Sequence, residues 1–540
     1  MDAVTIAIFV LLVAATLLIT YLAAKRNRSA ADHLVAGGRI SGRQNGLAIA
    51  GDFISAASFL GVTGAIALSG FNGFYLAVFV PVAFVLALLL VAEPLRNLGK
   101  FTLADVLATR YPARNVRAMM ATTSVVISLV YLVAQLVGAA LLISLMFGLP
   151  YWAAVLAIGG LTTVYTLLGG MVATTWIQIV KTGILLICAA VLFVFVIGEF
   201  DFNPLRPFAD VMVTLGDQFV APHRGSGLQN FDQLSMTIGL VFGVLGLPHV
   251  MIRFLTVPNA RQARSSAYTS IWVFFVFYAM VPVLGYAATL LVGADAITAR
   301  NPGGNLAVMQ LAEAVGGKTL LAIIAAVAFV TILAALSGLV IATSGAIAHD
   351  LYGQVLRRGN VTAAAQLRAA RIATLATSIA GVAVAFAAER QNVAFLASLG
   401  MSIAAAANLP ALMLTMYWKR MTSAAVVAGM SVGLGVSIAV ILLSPIVWGE
   451  TALLGFSNPA LVAAPVALGT SLLVALSSRH NAGDAERASA AYSDMRAAAF
   501  GPQRASLVGG DGSSAAQQPA AVARSESVTN ATPVTPREEL

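Results

Sequence analysis

Gly51-Asp-Phe-Ile-Ser-Ala-Ala-Ser-Phe-Leu-Gly61 places one carboxylate, two hydroxyls and two glycines inside a stretch that is otherwise apolar enough to cross a bilayer. An ionised carboxylate at the bilayer centre costs roughly 2.5–3.5 kcal/mol on insertion scales. Asp52 must therefore face other helices or a wet cavity. The glycines allow the helix to break. A break frees carbonyls that can bind a cation and amides that favour an anion. Ser55 and Ser58 add hydroxyls that suit a small carboxylate or a hard cation. Asp52 itself has two readings: it helps to bind something small and charged, or it pairs with a neighbouring amide or arginine. Small residues also let helices pack closely, and that is the competing reading of the stretch as a whole.

The elements that must hold this stretch are membrane spans. The chain has 540 residues, 59% hydrophobic and 10% charged, where a soluble domain has about 25% charged residues. Mean hydropathy is +0.90. The fold class is all-α, a polytopic membrane protein with about 13 transmembrane helices. The net charge of +9 comes from basic residues in short loops, which set orientation and do not suggest nucleic acid. Cys188 alone gives no disulfide and no metal cluster. The first span, about 3–24, reads as a retained helix followed by Lys25, Arg26 and Arg28. That places the N-terminus outside, the C-terminus in the cytoplasm and the chain in the cell membrane.

A second interrupted span, about 234–257, contains Gly243, Gly246 and Pro248. The two interrupted spans each open a group of five, a sequence sign of a transporter with repeats. The resulting division is 1–44, an extra helix and linker; 45–233 and 234–420, the repeats; 421–479, two further helices; and 480–540, a tail rich in Ala, Ser, Pro, Gln and Gly expected to be disordered. Tyr131 and Gln135 lie four apart on one helix face and either line a pocket or tie helices together. His249 and Arg253 share a face too. Arg253 could hold a carboxylate in a fork, but its place near the cytoplasmic end favours snorkelling or an inner gate. Trp176 and Gln178 are read as closing the inner side. Asn408-Leu-Pro410 is read as an interruption of the eleventh span that completes the pocket or only kinks the helix.

The chain resembles the sodium:solute symporter family, and within it the acetate/monocarboxylate cation symporters, over about residues 35–425. The likeness is carried by the Gly51–Gly61 stretch and by Arg96-Asn-Leu-Gly-Lys-Phe-Thr-Leu-Ala-Asp105. It extends to Gly169-Gly-Met-Val-Ala-Thr-Thr-Trp-Ile-Gln178, Gly246-Leu-Pro-His-Val-Met-Ile-Arg-Phe254 and Ala348-His-Asp-Leu-Tyr352. It implies a LeuT-like five-plus-five inverted repeat behind an extra N-terminal helix, working by alternating access. It also implies a sodium ion between the first broken helix and the ninth span, held by the carbonyls of Gly51 and Ile54 and by Thr331, Ala334 and Ala335. Sodium-coupled relatives carry hydroxyls at the last two positions, where this chain has alanine. Asp52 or Ser337 would then substitute, or the coupling ion is H⁺ instead of Na⁺.

The lining of the second break, Gly243 to Pro248, has no aromatic and no polar side chain. Such a lining suits a two- or three-carbon acid, with Ser55, Ser58, Tyr131, Gln135, Gly243, Gly246 and Asn408 as its candidate site. The expected function is symport of a short monocarboxylate such as acetate, propionate or pyruvate with a cation, without a cofactor. Symport of another small solute such as proline, or a sensor built on a transporter core, is the alternative. An enzyme has no supporting constellation of metal ligands or nucleophile and base. The oligomeric state is not legible in the sequence.

Overall fold

The computed structural model describes residues 40–501 except 169–170, 223–224 and 479–481, with a scatter of residues before position 20. The first expected span falls mostly outside the described residues, as do Gly169-Gly170 and the chain beyond 501. Of the first span Phe9 is described; its ring packs against Phe329 and Phe147.

The first broken span consists of α1 (Gly42–Phe53) and α2 (Ala57–Ser69), bent by 58°. Ser41 caps α1 in a reciprocal box with Gln44. The helix ends where Ile54 turns extended, at φ −75° and ψ 92°. The chain continues as α3 (Phe71–Leu90), the short α4 (Ala92–Leu98) and α5 (Leu103–Ala108), and α6 (Arg114–Phe147). Next come α7 (Tyr151–Leu168) and α8 (Met171–Gly198).

The second broken span consists of α9 (Gly227–Gly246) and α10 (Pro248–Thr256), bent by 42°. A residue before proline avoids the helical region, and Leu247 is extended, at φ −71° and ψ 117°. Pro248 then opens the next helix, where its missing N–H costs nothing. The chain runs on through α11 (Ala260–Leu291), α12 (Ala307–Leu356), α13 (Ala363–Ala387) and α14 (Val393–Tyr417). Last come α15 (Ser423–Leu442), α16 (Ala460–Ser477) and α17 (Ala482–Phe500).

Nine helices among the described residues are long and apolar enough to cross a membrane, and eleven spans result when each bent pair counts once. The helix α7 is shorter in its described apolar part. Within α12, Gly317 has φ 65°, a conformation open to glycine, and it separates the first turns from the span that follows.

Two expectations are corrected here. The eleventh span is not interrupted: α14 runs unbroken through Asn408 and Pro410. Residues 482–500, expected within a disordered tail, form α17. That helix buries Tyr492, Met495 and Ala499. Asn97 donates to the Ala499 carbonyl at 2.8 Å, and the Arg110 guanidinium lies 4.6 Å from the Tyr492 ring. These few apolar and aromatic anchors were outweighed by the tail's overall composition.

The two bent spans lie at the centre. α1 packs against α8 and α11, α8 against α12, and α6 against both α12 and α14.

Candidate functional site

The breaks are repaired by side chains. In a bilayer every freed backbone group must find a partner inside the protein. The Phe53 carbonyl, released at the end of α1, accepts from Ser58 Oγ at 2.8 Å and Ser55 Oγ at 3.3 Å. Tyr278 of α11 donates its hydroxyl to Ser58 Oγ at 2.9 Å. At the second break the Gly246 carbonyl accepts from Asn408 Nδ2 at 2.9 Å, and Thr123 of α6 donates to Asn408 Oδ1 at 2.6 Å. Asn408 thus clamps the break. The glycines are there for approach: a Cβ at Gly243 would stand 2.1 Å from the Met401 carbonyl oxygen, and one at Gly246 2.6 Å from that of Ala404.

Asp52 is buried and paired. Arg253 donates from Nε to Asp52 Oδ2, and Gln178 donates from Nε2 to Asp52 Oδ1. Arg253 also reaches Thr175 Oγ1 at 2.8 Å. It is 1% exposed, which overturns the snorkelling reading. α10 continues the bent span into the protein, so closeness to a span end in sequence did not mean closeness to water. Trp176 is the opposite case: it is 37% exposed. The inward face of α8 carries Thr175, Gln178, Lys181 and Thr182 instead, at the three-to-four spacing of one helix face. A cavity of about 10 Å³, about the room of one water, is lined by Asp52, His249, Arg253, Ala335, Gly338 and Leu339.

Beside it lie buried polar groups with nothing to bond. Both polar side-chain atoms of Gln135, both ring nitrogens of His249 and Ser128 Oγ have no hydrogen-bond partner among the described residues, and Tyr131 Oη has only a loose contact with Ser55. The Tyr131 and His249 rings are in contact, with centroids 4.8 Å apart. Ser128, Tyr131 and Gln135 follow one face of α6, which packs against both breaks. Leaving such groups unsatisfied costs about 1–3 kcal/mol each, and the groups fit a polar ligand.

The implied sodium ligands are also present. Thr331 turns its hydroxyl to the Val327 carbonyl of its own helix at 2.7 Å, while its own carbonyl accepts from Lys181 Nζ at 2.8 Å. The Ala334 carbonyl accepts from Ser337 Oγ at 2.9 Å and Gln178 Nε2 at 3.2 Å. Gly51 abuts α8, where a Cβ would meet Thr182 Oγ1 at 2.3 Å. These residues fit a sodium ion poorly: Ala334 and Ala335 bring no side-chain oxygen, and the Lys181 Nζ donor occupies the Thr331 carbonyl. Lys181 and Tyr278 were missed in the sequence. A lone lysine within an apolar span is a functional signal by default, and Lys181 offered it.

Two broken spans, each opening a set of five helices, with the buried Asp52–Arg253 pair between them, form the core of the molecule. The sodium:solute symporter family matches residues 33–433. The chain belongs to that family. An uncharacterised symporter of Bacillus subtilis strain 168, YwcA, is 43% identical over 482 residues, covering 87% of this chain and 94% of its own. Among solved structures, a Na⁺-coupled sialic acid symporter in its substrate-bound outward-open state is similar, with a TM-score of 0.72 at 16% identity, over 88% of this chain and 98% of that one. Mhp1, a nucleobase-cation-symport-1 family transporter in a closed conformation, gives 0.53 at 13% identity, over 86% and 99%. The fold is LeuT-like, as the resemblance implied. The symporter family membership makes the chain a cation-coupled secondary transporter and not an enzyme.

Proposed function

We propose that the chain imports a short monocarboxylate, such as acetate, propionate or pyruvate, together with a cation. The observation that carries this reading is the unspent polar cluster of Tyr131, Gln135 and His249 beside the breaks. Gln135 offers two N–H donors and Tyr131 one O–H, a set that suits a carboxylate. Charge supports it as well. Asp52 and Arg253 offset each other, and buried Lys181 adds a basic group whose ammonium form a monoanion balances. The cavity beside Asp52 is too small for even acetate, so binding requires the core to open. Arg253 and His249 border that cavity and act in this reading as a gate on the substrate's path.

Basic side chains support the orientation with the C-terminus in the cytoplasm. Arg110, Arg114 and Arg117 sit at the same end of the bundle as Asp350, the far end of α12.

Uptake of labelled acetate, propionate and pyruvate into proteoliposomes, with protein-free vesicles subtracted, tests the proposal. At least one acid is taken up against its gradient when a cation gradient is imposed. Failure of all three, with uptake of another solute such as proline, replaces the reading.

A further inference from the structure

At the position the family likeness assigns to sodium, a lysine of the protein already reaches one of the implied ligands. Lys181 is 2% exposed. Its ammonium donates to the Thr331 carbonyl at 2.8 Å, the ninth-span carbonyl at the centre of the implied ion site. Around it the usual ion ligands are mostly missing. Ala334 and Ala335 have no side-chain oxygen, so the Thr331 hydroxyl, whose proton goes to the Val327 carbonyl, is the one side-chain oxygen these three positions offer. A hard cation needs several oxygens at once, and a neighbouring ammonium repels it.

We propose that Lys181 stands in for sodium, so that this symporter neither binds nor requires Na⁺ between α1 and α12. The fixed ammonium ties α8 to α12 where a bound ion would tie α1 to α12. The loss of two hydroxyls and the gain of one lysine are then a single exchange: the ligands left because the charge they held is now built in. The other charged groups acting on Lys181 from the packed helices are Asp52 and Arg253. These two pair with each other, so neither is committed to the ammonium. His249 lies with Arg253, and Tyr131 with Asp52 and Tyr278. The driving cation is then one that does not use this position.

This inference concerns the same core as the monocarboxylate proposal, but its first test needs no substrate. Thermal unfolding of the purified full chain is compared in NaCl and in choline chloride at equal ionic strength. The wild type melts at the same temperature in both. The variant Lys181→Ala with Ala334→Ser and Ala335→Ser, which removes the charge and restores the hydroxyls, melts higher in Na⁺. A wild-type melting temperature raised by Na⁺, or a folded triple variant indifferent to it, overturns the proposal. If the triple variant does not fold, Lys181→Arg and Lys181→Met decide, read by uptake of labelled pyruvate under an inward pH gradient. Arg, which keeps the cation, retains more uptake than Met, and replacing Na⁺ by choline changes neither wild type nor Arg. Equal uptake by Met and wild type, or loss of wild-type uptake in choline, overturns it. If no monocarboxylate is transported at all, the substrate reading falls while the wild-type comparison of melting in the two salts still stands.

Discussion

At the scale of residues, the core separates groups that hold the protein together from groups left free to bind. Asp52 belongs to the first kind. Breaking a buried ion pair by removing one partner costs about 3–5 kcal/mol, because the other charge stays behind unpaired. Asp52→Asn therefore lowers the melting temperature as well as abolishing uptake. Adding Arg253→Met recovers much of the stability without recovering transport, which thermal unfolding and proteoliposome uptake read separately. Gln135 belongs to the second kind. Its side chain has no partner to lose, so Gln135→Leu leaves the melting temperature unchanged or higher while raising KM for the acid. Gln178→Leu, which deprives both Asp52 and the Ala334 carbonyl, lowers it. A melting temperature that falls equally in the two leucine variants would place Gln135 among the structural groups.

The elements show how far the sequence could be read. Both breaks were visible, because Gly51, Gly246 and Pro248 are written where a spanning helix should be uniform. Their repair was not visible. Ser58 and Tyr278 are 220 positions apart, as Asn408 and Gly246 are 162, and no local pattern links such pairs. The same limit hid the partner of Arg253. Within α8 the aromatic Trp176 drew attention while Lys181, five residues further along, was among the inward residues. A registry of helix faces, fixed by Gln178, would have separated them. The clamp on the second break carries its own prediction. Asn408→Ala leaves the Gly246 carbonyl without its donor in a dry core, a cost of about 1–3 kcal/mol. The α9–α10 junction then loosens, seen as faster amide exchange over Leu245–Leu247, and uptake falls. Asn408→Asp keeps an acceptor for Thr123 but loses the donor to Gly246, and behaves like the alanine variant.

At the scale of the whole molecule, the two ends of the bundle differ. Two adjoining clefts of about 340 and 370 Å³ open near Asn72, Gln233 and Phe395, at the start of α9 and α14. The second cleft reaches Pro302 and Gly303, just before α12 begins. Asp350 lies near the other end of α12, some 40 residues on. There charged side chains join the helices. Arg117 Nη1 donates at 2.8 Å to both Asp105 Oδ1 and Asp350 Oδ1, and Thr102 Oγ1 donates to Asp350 Oδ1 at 3.2 Å. His349 stands close enough that Asp105, His349 and Asp350 could group about a metal, but the guanidinium already takes the shared side of both carboxylates. The clasp joins α5, α6 and the end of α12, so parting these helices breaks the Arg117 bridges. Removing it should open that end at rest. In a chain with Cys188→Ser and Ala335→Cys, whose new thiol borders the cavity beside Asp52, a water-soluble maleimide labels slowly. Adding Arg117→Ala speeds the labelling from the clasp side, because that end opens more often. Unchanged labelling, with the Asp105–Asp350 clasp gone, would mean that the apolar packing of α6 on α12 is what keeps this end shut.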